Sequence, residues 1–98
     1  MAFEVIWLPK AEERFDEIIA YLAEKWTKKE IDKFISRTEE VIEDIAINPH
    51  LYRYSEKKNI YEAVVTKHNL LLYKIKRNRV ELLTFFDTRS NPTKKFKR

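Results

Sequence analysis

The chain of 98 residues contains no glycine. Glycine is the residue that most easily adopts positive φ angles and lets a backbone approach a ligand closely. Because glycine-rich phosphate loops and dinucleotide-binding fingerprints depend on that freedom, nucleotide cofactors are not expected here. Tight turns must be made by other residues, and asparagine is the best substitute because it tolerates left-handed backbone.

The composition predicts one folded domain over residues 1–98. Hydrophobic residues make up 44% of the chain and aromatic residues 13%, which is too much for a disordered segment. There is no cysteine, so disulfides and thiolate metal sites are excluded. No apolar run approaches the roughly 20 residues that span a bilayer. We expect a cytoplasmic domain with no membrane segment, no metal and no cofactor.

The hydrophobic period changes along the first half of the chain. An apolar run over residues 3–8, stopped by Pro9, predicts an N-terminal strand. Apolar residues at three- and four-residue spacing then predict a helix over about residues 10–25. A second helix should begin at the capping pair Thr27 and Glu30 and end at Asn48-Pro49. These two helices form a predicted hairpin.

Three apolar runs occupy the second half, after a polar loop over residues 52–59. They cover residues 60–66, 70–76 and 79–86. Their separators, 67–69 and 77–78, each contain asparagine and predict tight hairpin turns. The predicted fold is α+β: an N-terminal strand, a two-helix hairpin and a three-stranded antiparallel meander, with the helices on one face of the sheet. A basic tail, residues 87–98, follows.

The predicted strands carry more apolar residues than one covered face requires. Strict alternation, with Phe86 facing the helices, leaves five apolar residues on the opposite face: Val64, Leu70, Leu72, Leu83 and Phe85. An exposed apolar patch of this kind usually marks a site for a partner protein. Two alternatives are that the tail folds back over this face or that the assumed register is off by one residue.

Charge is distributed unevenly. Residues 1–66 carry 10 Lys/Arg against 14 Asp/Glu, whereas residues 67–98 carry 10 against 2. Positive charge concentrated in one third of a small domain indicates a polyanion or an acidic protein segment as partner. The alternative is a basic tail that only aids solubility.

The order of elements is similar to that of the RelE/ParE superfamily of toxins from bacterial type II toxin-antitoxin systems. Three short stretches carry the resemblance: Asn48-Pro49, Leu71-Leu72-Tyr73-Lys74-Ile75 and Phe85-Phe86-Asp87-Thr88-Arg89-Ser90-Asn91-Pro92. The likeness covers nearly the whole chain. It implies a toxin that inhibits growth and forms a hetero-oligomer with a cognate antitoxin. An acidic or amphipathic antitoxin segment would cover the five apolar residues named above.

The superfamily divides on mechanism. RelE-like toxins cleave mRNA in the ribosomal A site with basic residues on the open sheet face and a C-terminal arginine and tyrosine, whereas ParE-like toxins lack that set and poison DNA gyrase. Arg89 matches the arginine, but Glu62, Val64 and Leu70 stand where basic residues are expected. Lys95 and Phe96 stand near the position of the missing tyrosine.

The resemblance therefore favours a ParE-like, gyrase-directed or otherwise non-catalytic mode of inhibition. The alternative is a ribosome-dependent mRNA endonuclease that needs no metal, and a third possibility is a decayed toxin that only binds antitoxin. In a nuclease, Arg89 would stabilise phosphate and His68 would move a proton. The structural alternatives are an exposed turn histidine and an arginine paired with Asp87. Contacts with a polyanion or target are expected from Lys67, Lys74, Arg89, Lys94 and Lys95.

Overall fold

The computed structural model describes residues 2–89. The predicted contacts of Lys94 and Lys95, and the proposed cover by the tail, lie outside these residues. The elements in chain order are β1 (Glu4–Trp7), α1 (Pro9–Lys25), α2 (Lys28–Ile47), β2 (Arg53–Ser55), β3 (Ile60–Thr66), β4 (Asn69–Lys76) and β5 (Arg79–Asp87). No helix among the described residues is long and apolar enough to cross a membrane.

Both helices begin and end where the sequence predicts. Pro9 opens α1, where its missing N–H is not needed by the helix. The Glu30 carboxylate accepts hydrogen bonds from the Thr27 backbone N–H, at 3.2 Å, and from the Thr27 hydroxyl, so this pair caps α2. The helix stops before Pro49, because a residue that precedes proline is disfavoured in helical conformation.

The sheet has the strand order β1-β5-β4-β3-β2. Strands β3, β4 and β5 form the predicted antiparallel meander. Strand β1 pairs with β5 in parallel, so the sheet as a whole is mixed. Hydrophobic periodicity identifies a strand but contains no information about its neighbour or direction.

The predicted polar loop over residues 52–59 contains a strand. In β2, Tyr54 pairs with Tyr61 of β3, and the two rings lie 4.8 Å apart. Three residues are too few to show an alternating pattern, which explains why the sequence did not predict this strand. Its position depends on the ladder that β3 offers and on the contact between the two rings.

Neither of the two predicted hairpin turns, 67–69 and 77–78, places an asparagine in left-handed backbone. Among the described residues, positive φ angles occur at Asn59 (61°) and at Arg77 (59°). Arg77 therefore takes the left-handed position in the β4–β5 turn, and the adjacent Asn78 does not. The 67–69 turn contains no positive φ angle. Closing the β4–β5 hairpin without glycine thus places a residue with a Cβ in a disfavoured backbone region.

The core lies between the helical hairpin and one face of the sheet, around Phe85. Its ring centroid is 6.0 Å from that of Trp7, 5.8 Å from that of Phe15 and 6.0 Å from that of Phe34. Phe85 is 2% exposed. The prediction that Phe85 faces away from the helices is therefore wrong.

A β-bulge explains the error. Tyr73 pairs with Leu82 and Leu72 pairs with Thr84, so Leu83 is an extra residue in β5. One extra residue exchanges the two sides of the strand from that point on. Phe85 therefore enters the core, and Phe86 takes the place predicted for Phe85 on the opposite side.

Candidate functional site

The face of the sheet opposite the helices, called here the open face, is largely apolar. Val64 of β3 pairs with Leu70 of β4, which pairs with Phe86 of β5. Their neighbours along each strand, such as Ala63 and Leu71, are buried against the helices. Val64 is 53% exposed, whereas Leu70, Leu72, Leu83 and Phe86 are half-buried. The alternation thus placed Val64, Leu70 and Leu72 on the correct face, and their contact with an antitoxin stays a prediction.

The charged groups on the open face partly neutralise one another. Glu62 lies 3.9 Å from the Arg53 guanidinium. Glu81 lies 3.9 Å from Lys76 and 2.9 Å from Arg79. Lys74 of β4 alternates with buried Tyr73 and also belongs to this face. Because a carboxylate and apolar side chains lie at its centre, this surface is not suited to bind an RNA phosphate.

A cleft of about 600 Å³ opens on the other side of the sheet, between the helices and the end of β5. Its floor is apolar and is formed by Ile18, Leu22, Phe34 and Phe85. Three predicted site residues meet at its rim: Lys67 and His68 from the β3–β4 turn, and Arg89 after β5. Lys74 is separated from them by the sheet. The structure therefore brings together three of the four described basic candidates.

Hydrogen bonds fix the position of the β3–β4 turn. Arg37 of α2 donates its Nε–H to the Val65 carbonyl oxygen at 3.0 Å, beside the irregular pairing of Val64 and Thr66. The Thr88 backbone N–H donates to the His68 carbonyl oxygen at 3.0 Å. His68 is half-buried, so it differs from the freely exposed turn histidine that was the alternative.

Arg89 is paired with Asp87. Its Nε–H donates to Asp87 Oδ1 at 3.2 Å and its Nη2 donates to Oδ2 at 3.0 Å. The Arg89 backbone N–H also donates to Oδ1, at 2.9 Å. The side-chain hydrogen bond holds the pKa of Asp87 below its usual value and raises the pKa of Arg89. A phosphate or a foreign carboxylate must compete with Asp87 for this guanidinium.

Helical residues in the cleft were not predicted as site residues. Trp26, the residue that follows α1, is 57% exposed on the cleft, and Tyr21 is also exposed there. Arg14, which forms an ion pair with Glu17 at 3.6 Å, and Lys33 also line the cleft, where Glu17 and Glu30 offset their charge. A signal was available for Tyr21, which falls outside the apolar stripe of α1 and so has no core to enter. Trp26 gave no such signal, because it lies four residues after Leu22 and continues that stripe just past the end of the helix.

The fold, a helical hairpin packed on one face of a mixed sheet, is shared with chains of the ParDE and YoeB-YefM toxin-antitoxin systems. The family model for the ParE toxin of the type II toxin-antitoxin system parDE matches residues 5–92. The chain belongs to this family.

Solved structures with this fold include toxin-antitoxin systems from several bacteria. A chain of the chromosomal ParDE system from P. aeruginosa is 15% identical, with a TM-score of 0.74 over 88% of this chain and 96% of that one. A chain of the YoeB-YefM complex from Staphylococcus aureus is 16% identical, with a TM-score of 0.58 over 88% and 97%. A copper-bound mutant toxin from Helicobacter pylori is 13% identical, with a TM-score of 0.56 over 91% and 98%. No significant match is found among curated protein sequences.

Proposed function

We propose that this toxin inhibits growth by acting on DNA gyrase without catalysing a reaction, in the cytoplasm, and that a cognate antitoxin neutralises it. The observation that carries this proposal is the open face, which presents Glu62, Val64 and Leu70 where an RNA-cleaving toxin needs cations. Membership of the ParE toxin family supports the same mode of action.

The chemistry of RNA cleavage explains why this observation matters. Attack by a 2′-hydroxyl requires a base, cations that stabilise the charge on phosphorus and an acid for the leaving oxygen, all within hydrogen-bonding reach. Here Lys74 lies on the open face, Arg89 lies at the cleft, and Asp87 already occupies the Arg89 guanidinium. This separation supports a binding function rather than a catalytic one.

The antitoxin is proposed to cover the open face. Val64 is exposed there and adjoins Leu70, Leu72 and Phe86, so an amphipathic segment would remove a contiguous apolar surface from water. Leu83, the bulge residue, adjoins this surface. Two of the similar structures are the ParDE system from P. aeruginosa and the YoeB-YefM complex from S. aureus. A hetero-oligomer of toxin and antitoxin is the corresponding assembly here.

A supercoiling assay tests the gyrase proposal. The purified toxin should inhibit supercoiling of relaxed plasmid by gyrase, and Lys67→Glu or Arg89→Glu should weaken inhibition because both residues border the cleft. Lys57→Glu, an equal charge change at an exposed position away from the cleft, should inhibit like wild type. Unimpaired supercoiling at a large molar excess of toxin would overturn the proposal.

One observation favours the alternative of a ribosome-dependent mRNA endonuclease. Lys67, His68 and Arg89, which could supply cations and a proton donor, converge at one cleft. Incubating the toxin with programmed ribosomes and mapping the mRNA ends tests this directly. Cuts that appear with wild type and vanish in both Arg89→Ala and His68→Ala would replace the gyrase proposal with this one.

A further inference from the structure

The loop between β2 and β3 crosses the open face. We call residues 56–59 the strap. The Lys58 Nζ lies 5.9 Å from the centroid of the Phe86 ring. Phe86 is on β5, and β4 lies between β5 and β3. Lys58 therefore reaches across two strands to place its ammonium group over the ring.

The burial of Ile60, the residue that follows the strap, shows a second covered position on the open face. Ile60 precedes Tyr61, whose ring stacks on that of core residue Tyr73 at 5.2 Å, so alternation puts Ile60 on the open face. Ile60 is nevertheless 9% exposed, whereas Val64, four residues along the same face, is 53% exposed. The open face is thus covered beside the strap at Ile60, whereas in the row of Val64, Leu70 and Phe86 the Lys58 ammonium group lies over Phe86 and Val64 stays exposed.

Hydrogen bonds hold the backbone of the strap, including one from the Lys58 N–H to Ser55 Oγ at 3.3 Å, and only its tip, the Lys58 side chain, is loosely held. The Asn59 backbone N–H donates to the Ser55 carbonyl oxygen at 2.7 Å, and the Tyr54 hydroxyl hydrogen-bonds the Asn59 side chain. The positive φ angle of Asn59 closes this turn. The tip reaches Phe86 through one exposed cation–π contact, which is among the weaker interactions in a protein. Such a contact can open without unfolding of the sheet.

The charge around the open face favours an acidic occupant. Glu62 and Glu81 are already close to Arg53, Lys76 and Arg79. Lys58 and Lys74 form no ion pair among the residues that the structure describes. Lys74 is the cross-strand partner of Glu81, so its charge is partly offset, but the open face still carries five cations, Arg53, Lys58, Lys74, Lys76 and Arg79, against the two carboxylates. The face therefore offers an incoming acidic segment an apolar surface with an excess of positive charge around it.

We propose that the strap is a displaceable cover of the open face: Lys58 shields Phe86 in the free toxin, and an acidic segment of the antitoxin displaces it. An apolar side chain of that segment would replace Lys58 on the ring, and a carboxylate would bind the released ammonium group. The identity of the occupant rests on the proposed function, whereas the cover itself is a property of the free chain.

Binding of Nile red, a neutral dye that reports apolar surface, tests the cover without requiring any toxin activity. Lys58→Ala should increase the apparent affinity for the dye about two- to five-fold, the equivalent of an exposed cation–π contact. Lys57→Ala removes the same charge from the same loop and should leave dye binding unchanged. Lys58→Arg should behave like wild type, because a guanidinium group also binds an aromatic face.

Phe86→Leu provides an independent check through a double-mutant cycle with Lys58→Ala. If Lys58 acts through the ring, its substitution should have little effect on dye binding once the ring is absent. Equal dye binding by Lys58→Ala and Lys57→Ala, or additive effects in the cycle, would overturn the cover.

The displacement step is tested with the cognate antitoxin from the neighbouring gene. Lys58→Ala should accelerate antitoxin association, because the cover no longer has to open, and should also accelerate dissociation, because the carboxylate loses its partner. Unchanged rate constants for both steps would overturn displacement. If the dye-binding results are as expected but the toxin does not inhibit gyrase, the proposed function is contradicted and the cover is not.

Discussion

The Tyr73 hydroxyl donates a 2.7 Å hydrogen bond to the Pro49 carbonyl oxygen, and both residues are fully buried. This bond joins the turn that follows α2 to the central strand of the sheet. The chain leaves the helix before Pro49, so the Pro49 carbonyl oxygen has no helical N–H to accept from, and it lies where water does not reach. The tyrosine hydroxyl satisfies that oxygen, so the end of the helix and the position of β4 are set together.

Tyr73→Phe should lower the free energy of unfolding by about 1–2 kcal/mol, because it removes the hydrogen bond and leaves the Pro49 carbonyl buried without a donor. Urea denaturation followed by circular dichroism measures the loss. Tyr61→Phe is the matched control: its ring stacks on Tyr73, and no hydrogen bond to its hydroxyl is present among the described residues. A loss of similar size in both variants would contradict the assignment.

The stability of Tyr73→Phe relative to wild type should depend on pH. Burial, followed by the nearby Tyr52 and Tyr61, raises the pKa of Tyr73 well above its ordinary value of 10.0. Below pH 10 the hydroxyl is protonated in both the folded and the unfolded chain, so the wild type keeps its full advantage. Above pH 10 the unfolded chain ionises first, which draws the equilibrium toward unfolding and removes the advantage. Parallel denaturation series from pH 7 to pH 11 should show the gap narrowing only above about pH 10.

Local signals in the sequence were sufficient for the helices and the meander. The capping pair Thr27 and Glu30, and the stop at Pro49, act within a few residues, so their effects can be read without knowing the fold. The direction of β1 and the existence of β2 depend on partners that are distant in the chain, and local patterns do not specify them. The same limitation applies to the bulge at Leu83. Alternation predicts the face of a residue only while each residue of β5 pairs with one residue of β4, and Leu83 is an extra residue.

The candidate site was only partly predictable, because some of its residues come together only in the folded structure. Lys67 and His68 stood out as polar residues in the turn between β3 and β4, and Arg89 stood out through the resemblance to the toxin superfamily. The structure brings all three to one edge of the meander. Tyr21 and Trp26 join them only because α1 crosses that edge, which is a tertiary relationship. The cover that Lys58 places over Phe86 likewise spans two strands and left no pattern in the sequence.

Removing Arg89 should change the titration of Asp87. The Arg89 hydrogen bond holds the pKa of Asp87 below its ordinary value of 3.8, with a smaller contribution from the charge of His68. Arg89→Ala should therefore raise the pKa of Asp87, as measured from the ¹³C shift of its carboxyl carbon. Arg77→Ala, an equal change in net charge at the β4–β5 turn, should leave it unchanged. Because the folded-state pKa of Asp87 is depressed, this pair stabilises the fold above about pH 3.8 and loses that effect as the pH falls. An Asp87 pKa that does not respond to Arg89→Ala would contradict the pairing.

Introducing glycine at the β4–β5 turn should have opposite effects at its two positions. Arg77 has a φ angle of 59°, so Arg77→Gly removes the steric cost of its Cβ and should stabilise the fold by about 0.5–1 kcal/mol. Asn78 has no positive φ angle, so Asn78→Gly only adds freedom to the unfolded chain and should destabilise by about 0.5–1 kcal/mol. The two midpoints in urea should move in opposite directions, and shifts of the same sign would contradict the backbone assignment.

The bulge at Leu83 determines which of two adjacent phenylalanines supports the core, and matched substitutions can distinguish them. Phe85→Leu should destabilise the protein by about 1–2 kcal/mol, because it removes ring contacts with Trp7, Phe15 and Phe34. Phe86→Leu makes the same chemical change on the half-buried open face and should cost less than about 1 kcal/mol. If alternation along β5 were uninterrupted, Phe86→Leu would instead destabilise the protein more than Phe85→Leu. Thermal denaturation of the two variants under identical conditions decides between the two arrangements, because composition, chain length and side-chain volume are the same in both.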